Sequence, residues 1–303
     1  MMKKAILLLA IVPLLVGPLA AQDACSDAYV KAMTAQAPAE RAQLLKAFLT
    51  QCAGKGNQYE NFANANLALQ EYPGKTPADV TNFGEKALAL GGLDDLTKCQ
   101  LLLVLSSLYS KSGQNLEKAK SYASQVTETA RAAKSKETEG ATTSAAQWNQ
   151  MIGAGFFALG QAREKSNDAK GAVDAYANSY AILKNPKILA SIKMVGKSLY
   201  DAKNFAAAEA AFKAAYEATK DPEIGTIYAQ AVYRSDKEGE ALVLFKELYG
   251  KKKSGELAYN IGTILAKQAK TNPAISSEAI RYLLEASFTY PAQAKQSRGI
   301  AEN

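Results

Sequence analysis

The chain has 303 residues, 48% of them apolar and 21% charged, with 36 basic against 29 acidic side chains and no histidine. That is too apolar for a disordered chain and short of a polytopic membrane protein. The absence of histidine removes Ser–His and Cys–His nucleophile pairs, His-based general acid–base chemistry and the commonest metal ligand.

Residues 1–21, MMKKAILLLAIVPLLVGPLAA, have the layout of a secretory signal. Lys3 and Lys4 give a positive start, Ala5–Val16 an apolar run, Gly17-Pro18 a break, and Ala20 and Ala21 a small-residue cleavage site before Gln22. The run is shorter than the roughly 20 residues that span a bilayer, and no lipid-attachment box precedes Cys25. The expectation is an exported bacterial protein, periplasmic or secreted, with no stable membrane insertion after cleavage. Loss of Lys3 and Lys4 lowers the formal charge from +7 to +5, too mild a surplus to imply a nucleic-acid partner.

From residue 22 to 130 the pattern predicts degenerate helical hairpins. Ser26–Thr34 and Ala39–Gln51 read as two helices around Pro38, with Cys25 and Cys52 at the open end of the hairpin. At ~1.5 Å rise per residue the two arms differ by only about 5 Å, so a Cys25–Cys52 disulfide is the preferred pairing. The alternative is three core thiols including Cys99, which precedes the apolar run Gln100–Leu105. Gln58–Tyr72 and Pro77–Leu90 read as helices separated by Pro73-Gly74-Lys75. Gly91-Gly92 then stops the chain before Asp94-Asp95, which suit a helix N-terminus. Leu101–Tyr109 and Leu116–Val126 form the next predicted hairpin. Residues 131–147, RAAKSKETEGATTSAAQ, read as a polar helix extension or linker.

Over 148–291 the chain repeats itself. Gly160, Ala172, Ala175, Tyr176, Tyr180 and Pro186 recur 36 residues later as Gly196, Ala208, Ala211, Phe212, Tyr216 and Pro222. A further step of 33 gives Ala241, Phe245 and Tyr249, and a weaker copy follows at Ala279, Leu283, Ala286 and Pro291. Glycine inside a helix costs ~1 kcal/mol relative to alanine, so Gly160 and Gly196 imply a closely approaching neighbour. Ala172 and Ala208 let the facing helix in, the aromatic four residues on fills the space beyond, and the prolines open the next hairpin. Residues 292–303 read as a polar C-terminal tail.

These residues resemble the tetratricopeptide repeat: Phe156, Leu159, Gly160, Ala172, Tyr176 and Ser179 occupy its pattern in order, as do Ile192, Val195, Gly196, Ala208, Phe212 and Ala215. In the third copy Ala229 replaces the glycine, and the fourth has an enlarged turn around Thr271-Asn272-Pro273. The resemblance implies an all-α superhelical solenoid of helix–turn–helix repeats, about seven hairpins in all, with the first helix of each lining a concave face. Repeat phase then puts Phe157, Gln161, Lys193, Lys197, Tyr200, Gln230, Tyr233, Tyr259, Asn260 and Thr263 on that face. Lys193 and Lys197, four apart, point one way and cannot neutralise each other. Tyrosines and amides around them suit an extended peptide, although Lys193 alone fills a position of the family's carboxylate clamp.

No phosphate loop, nucleophile elbow, calcium loop or zinc motif occurs, and Gly153-Ala154-Gly155 misses the dinucleotide fingerprint by spacing. The sequence therefore predicts neither cofactor nor metal. The leading expectation is a non-enzymatic scaffold for an envelope protein or extended peptide. The alternatives are a solenoid binding a small ligand or glycan in its groove, and an enzyme built on Asp, Glu or Lys.

Overall fold

The computed structural model describes residues 17–136 and 143–302. Residues 1–16, most of the segment read as an export signal, lie outside the described residues, as do 137–142 and Asn303. Among the described residues there are fifteen α-helices, two short 3₁₀ turns and no strand. None of these helices is long and apolar enough to cross a membrane. The chain divides into two compact units, Met1–Leu101 and Leu102–Asn303.

In the first unit α1 (Gly17–Thr34) pairs with α2 (Pro38–Cys52), and α3 (Glu60–Leu69) pairs with α4 (Pro77–Leu90). Proline at the first position of α2 and α4 supplies a pre-set φ where no N–H is needed. Thr76 and Asp79 complete a capping box at the start of α4, each side chain accepting the other's backbone N–H. Cys25 and Cys52 are joined by a disulfide, their Cα atoms 5.8 Å apart, beside a core of Ala32, Leu45, Phe48, Ala63 and Leu67. Glu60 is buried but compensated: it accepts the Gly54 N–H at 2.8 Å and pairs with Lys86 at 3.0 Å. These partners, the Gly54 bond first, hold its carboxyl below the usual range. Cys99 lies buried in α5 (Asp95–Ser112), and burial, assisted by Asp95, pushes its thiol up to about 11.

The second unit continues from α5 into α6 (Leu116–Ser135), tied by a Ser106 hydroxyl donating to the Ala119 carbonyl at 2.8 Å. Then come α7 (Ala145–Lys165) with α8 (Ala169–Leu183), α9 (Pro186–Asp201) with α10 (Phe205–Thr219), α11 (Pro222–Arg234) with α12 (Glu238–Lys251), and α13 (Gly255–Ala269) with α14 (Ser276–Thr289). Each helix packs on its sequence neighbour, and α8 also packs on α10. The polar stretch 131–147 is helical at both described ends: α6 runs on to Ser135, and a Ser144–Gln147 capping box opens α7. Residues 292–303 hold more than a tail, since α15 (Ala294–Glu302) packs against α14 and α13 with Ser297 buried. Pro291 starts that segment just as Pro186 and Pro222 start theirs.

Candidate partner-binding groove

The groove is positioned by the way each hairpin closes. A β-carbon on Gly160 would lie 2.5 Å from the Tyr176 ring, one on Gly196 would collide with the Phe212 ring, and one on Gly262 would meet Leu283 at 2.7 Å. Each glycine is thus a notch in the first helix that admits the large side chain of the second. Where Ala229 replaces the glycine, Gly225 one turn earlier takes the close contact, against Leu248 and Tyr216. In the first of these hairpins the notch is reinforced by polar bonds, the Tyr176 hydroxyl donating to Glu164 at 2.7 Å and the Ser179 hydroxyl to the Gly153 carbonyl at 2.8 Å. Asn185 and Asp221 cap the helices that follow, accepting the Lys187 N–H and the Glu223 and Ile224 N–H groups.

This closure presents α9, α11 and α13 along one face. Between them runs a groove of about 380 Å³ lined by Tyr200, Gln230, Tyr233, Arg234, Tyr259, Asn260, Thr263 and Ile264. Tyr200 is half-buried, its ring edge-on to Phe205 at 5.3 Å and its hydroxyl donating to the Gln230 carbonyl at 3.2 Å. Burial raises its phenol, with Arg234 pulling the other way. Glu256 orients both amides: its carboxylate accepts from the Gln230 side chain at 2.9 Å and its carbonyl from the Asn260 side chain at 3.0 Å. Tyr259 leans against Tyr290, with ring centroids 6.1 Å apart. The Thr263 hydroxyl is buried without a hydrogen-bond partner. Chemically, the tyrosines offer apolar faces with polar tips, the amides can meet a peptide backbone, and Arg234 brings a positive charge.

Six of the ten residues that repeat phase assigned to the face meet here: Tyr200, Gln230, Tyr233, Tyr259, Asn260 and Thr263. Gln161 instead lines a separate recess of about 230 Å³ with Phe157, Tyr176 and Met194. Lys193 and Lys197 do not line the groove and are not unneutralised cations. Lys193 pairs with Glu223 at the start of α11, and Lys197 pairs with Asp201 one turn along α9. The Lys193 contact in turn holds the Glu223 carboxyl below its ordinary value. The sequence reading missed Arg234, one turn beyond Gln230 on α11, and Glu256. Among the described residues, no three Cys, Asp or Glu side chains are grouped to hold a metal ion.

No protein-family model matches the chain, and no curated protein matches it. Among solved structures it is similar to a tetratricopeptide repeat protein from Parabacteroides merdae ATCC 43184, at 12% identity and a TM-score of 0.41, over 94% of this chain and 100% of that one. It is also similar to the TPR2AB domain of yeast Sti1 in complex with pHSP90, at 14% identity and a TM-score of 0.34, over 80% of this chain and 97% of that one. What decides the fold is internal: the notch recurs hairpin after hairpin, with Gly160, Gly196 and Gly262 each seated against the second helix. The fold is a tetratricopeptide-type helical repeat. Its fourth tetratricopeptide-type unit is enlarged by the 3₁₀ turn Pro273–Ile275, so Gly262 and Leu283 stand farther apart in sequence than Gly196 and Phe212 while making the same contact.

Proposed function

We propose that this chain is an exported, non-enzymatic scaffold that binds an extended segment of another envelope protein in the groove between α9, α11 and α13. The observation that carries the reading is the convergence of Tyr200, Tyr233 and Tyr259 with two oriented amides and Arg234 on one face. An extended peptide leaves backbone N–H and C=O groups to satisfy, and oriented amides meet them, while tyrosines supply contact area at low entropic cost. Arg234 favours a segment that carries a carboxylate. The export layout of residues 1–21 supports an envelope location.

A photo-crosslinking residue placed at Thr263, which also lines the groove, and activated in intact cells tests this directly. Capture of an envelope polypeptide, lost when Asn260→Ala is added, supports the proposal; a crosslinker that captures no polypeptide overturns it. Fractionation of the same cells should recover the chain, shortened by the signal, outside the cytoplasm. A second reading, a small ligand or glycan, is favoured by the groove's size, which falls within the ~300–1,000 Å³ of small-molecule sites. It requires a soluble glycan to bind and Tyr200→Ala with Tyr233→Ala to abolish that binding.

A further inference from the structure

The recess that Gln161 lines lies outside the tyrosine groove. It holds about 230 Å³ among residues of α5, α7 and α9, with Phe157 and Met194 on its walls. Phe157 packs on the buried Tyr176 ring, centroids 5.4 Å apart. Met194 is 61% exposed, an apolar side chain standing between this recess and a second of about 320 Å³ that Asn167 and Ser198 border. Ser110 of α5 also lines the recess; it is 3% exposed, and its hydroxyl is buried without a hydrogen-bond partner.

These features select an occupant. The volume falls below the ~300–1,000 Å³ of small-molecule sites, so the recess takes one side chain of a larger ligand. Phe157 and the Met194 thioether favour an aromatic ring. A buried hydroxyl is nearly always paired, so Ser110 calls for a polar tip on that ring. A phenol carries its O–H at the far end of the ring and both donates and accepts, as a serine hydroxyl does. An indole N–H only donates, and from the flank of the ring. The rim adds charge. Lys111 and Lys165 are exposed and, among the described residues, without an ion-pair partner, whereas Glu164 already accepts the Tyr176 hydroxyl.

We infer that this recess is an anchor pocket for a tyrosine flanked by acidic residues, carried by the same extended segment that lies in the groove. The ring packs between Phe157 and Met194, its hydroxyl pairs with Ser110, and the flanking carboxylates meet Lys111 and Lys165. Met194 and Tyr200 are six residues apart on α9, a rise of about 9 Å. An extended chain covers that in about three residues, so the anchor tyrosine sits that far from the stretch over Tyr200. The pocket's partner thus rests on the groove reading, whereas its preference for tyrosine rests on the recess itself.

The test is a titration of N-acetyl-L-tyrosinamide into the full chain carrying isotopically labelled methionine methyl groups, with the Met194 resonance assigned from Met194→Leu. The Met194 methyl should shift saturably. N-acetyl-L-phenylalaninamide should bind about fivefold more weakly for want of one hydrogen bond. Ser110→Ala should erase that difference and leave the melting temperature no lower, since it removes an unpartnered buried oxygen. Acetyl-Asp-Tyr-Asp-amide should bind more tightly than acetyl-Lys-Tyr-Lys-amide, by a margin that shrinks in Lys165→Ala. A Met194 methyl that no tyrosine probe moves, equal affinity for the two rings or for the two tripeptides, or a ring preference that survives Ser110→Ala would each overturn the anchor pocket. The groove and the pocket fail separately. Capture at Thr263 with a silent Met194 removes the pocket and keeps the groove, while a responsive Met194 with no capture removes the groove reading and keeps the pocket.

Discussion

Gly196 on α9 lies directly beneath Phe212 on α10, and the ring occupies the space a β-carbon would need. Two effects of opposite sign therefore meet in Gly196→Ala. Helix propensity gains about 1 kcal/mol, while forcing a methyl group into a closed contact costs about 1–3 kcal/mol. The ring is fully buried and has nowhere to go, so the clash wins and the urea midpoint falls. Gly239→Ala on α12 faces open space and should hold or raise the midpoint. If the two variants behave alike, the notch does not organise the hairpin.

The Cys25–Cys52 disulfide closes a sequence separation of 27 in the first unit. Loop closure of that length stabilises by about 3–4 kcal/mol on the chain-entropy model. Reduction, or Cys25→Ser with Cys52→Ser, should lower the melting temperature of α1–α4 and expose the Phe48 core to proteolysis, leaving the second unit's unfolding unchanged. A reduced chain with an unaltered thermal profile would show that packing alone holds the hairpin.

How much of this was legible can be read from particular residues. The repeat register was visible because Gly160, Gly196 and the prolines are chemically forced where they stand. The turns were not. Asn167, Lys203 and Asp236 adopt left-handed φ of 60°, 56° and 61° at spacings of 36 and 33, as Lys184 and Lys220 do at 52° and 54°. The register is in the backbone, while lysine carries no turn signature for a reader of sequence. Lys193 was misjudged for a related reason: its partner Glu223 comes from the following hairpin, thirty residues on. The three tyrosines and two amides line one groove because phase alone fixes which face of a helix a residue occupies, whereas Arg234 and Glu256 enter through neighbours that phase does not specify.

Alkaline pH should weaken the fold. Burial pushes the Cys99 thiol from an ordinary 9.0 to about 11, and burial with the Glu285 carboxylate pushes the Tyr249 phenol from 10.0 to about 12. Both groups are held neutral in the folded chain and ionise earlier in the unfolded one, so unfolding releases protons in this range. Stability is then level below about pH 9 and declines as pH rises toward 11 and 12. Urea midpoints measured from neutral pH upward give the check, and a midpoint that climbs above pH 9 contradicts it. By the same reasoning iodoacetamide should label Cys99 at pH 8 only after denaturation.

The last prediction separates the groove from the lysines beside it. Tyr233→Ala removes a groove wall, and Asn260→Ala removes an amide that Glu256 holds in place, so either should weaken capture of the peptide at least tenfold. Lys193→Ala breaks only a pair with a largely exposed carboxylate, an interaction that water and salt already screen. That variant should leave both peptide affinity and the melting temperature close to the parent. Titration of the three variants against the captured segment, at two salt concentrations, decides the matter. If Lys193→Ala were the damaging change and Tyr233→Ala the silent one, recognition would rest on the charged flank of α9, and the tyrosine-lined groove would be ordinary surface.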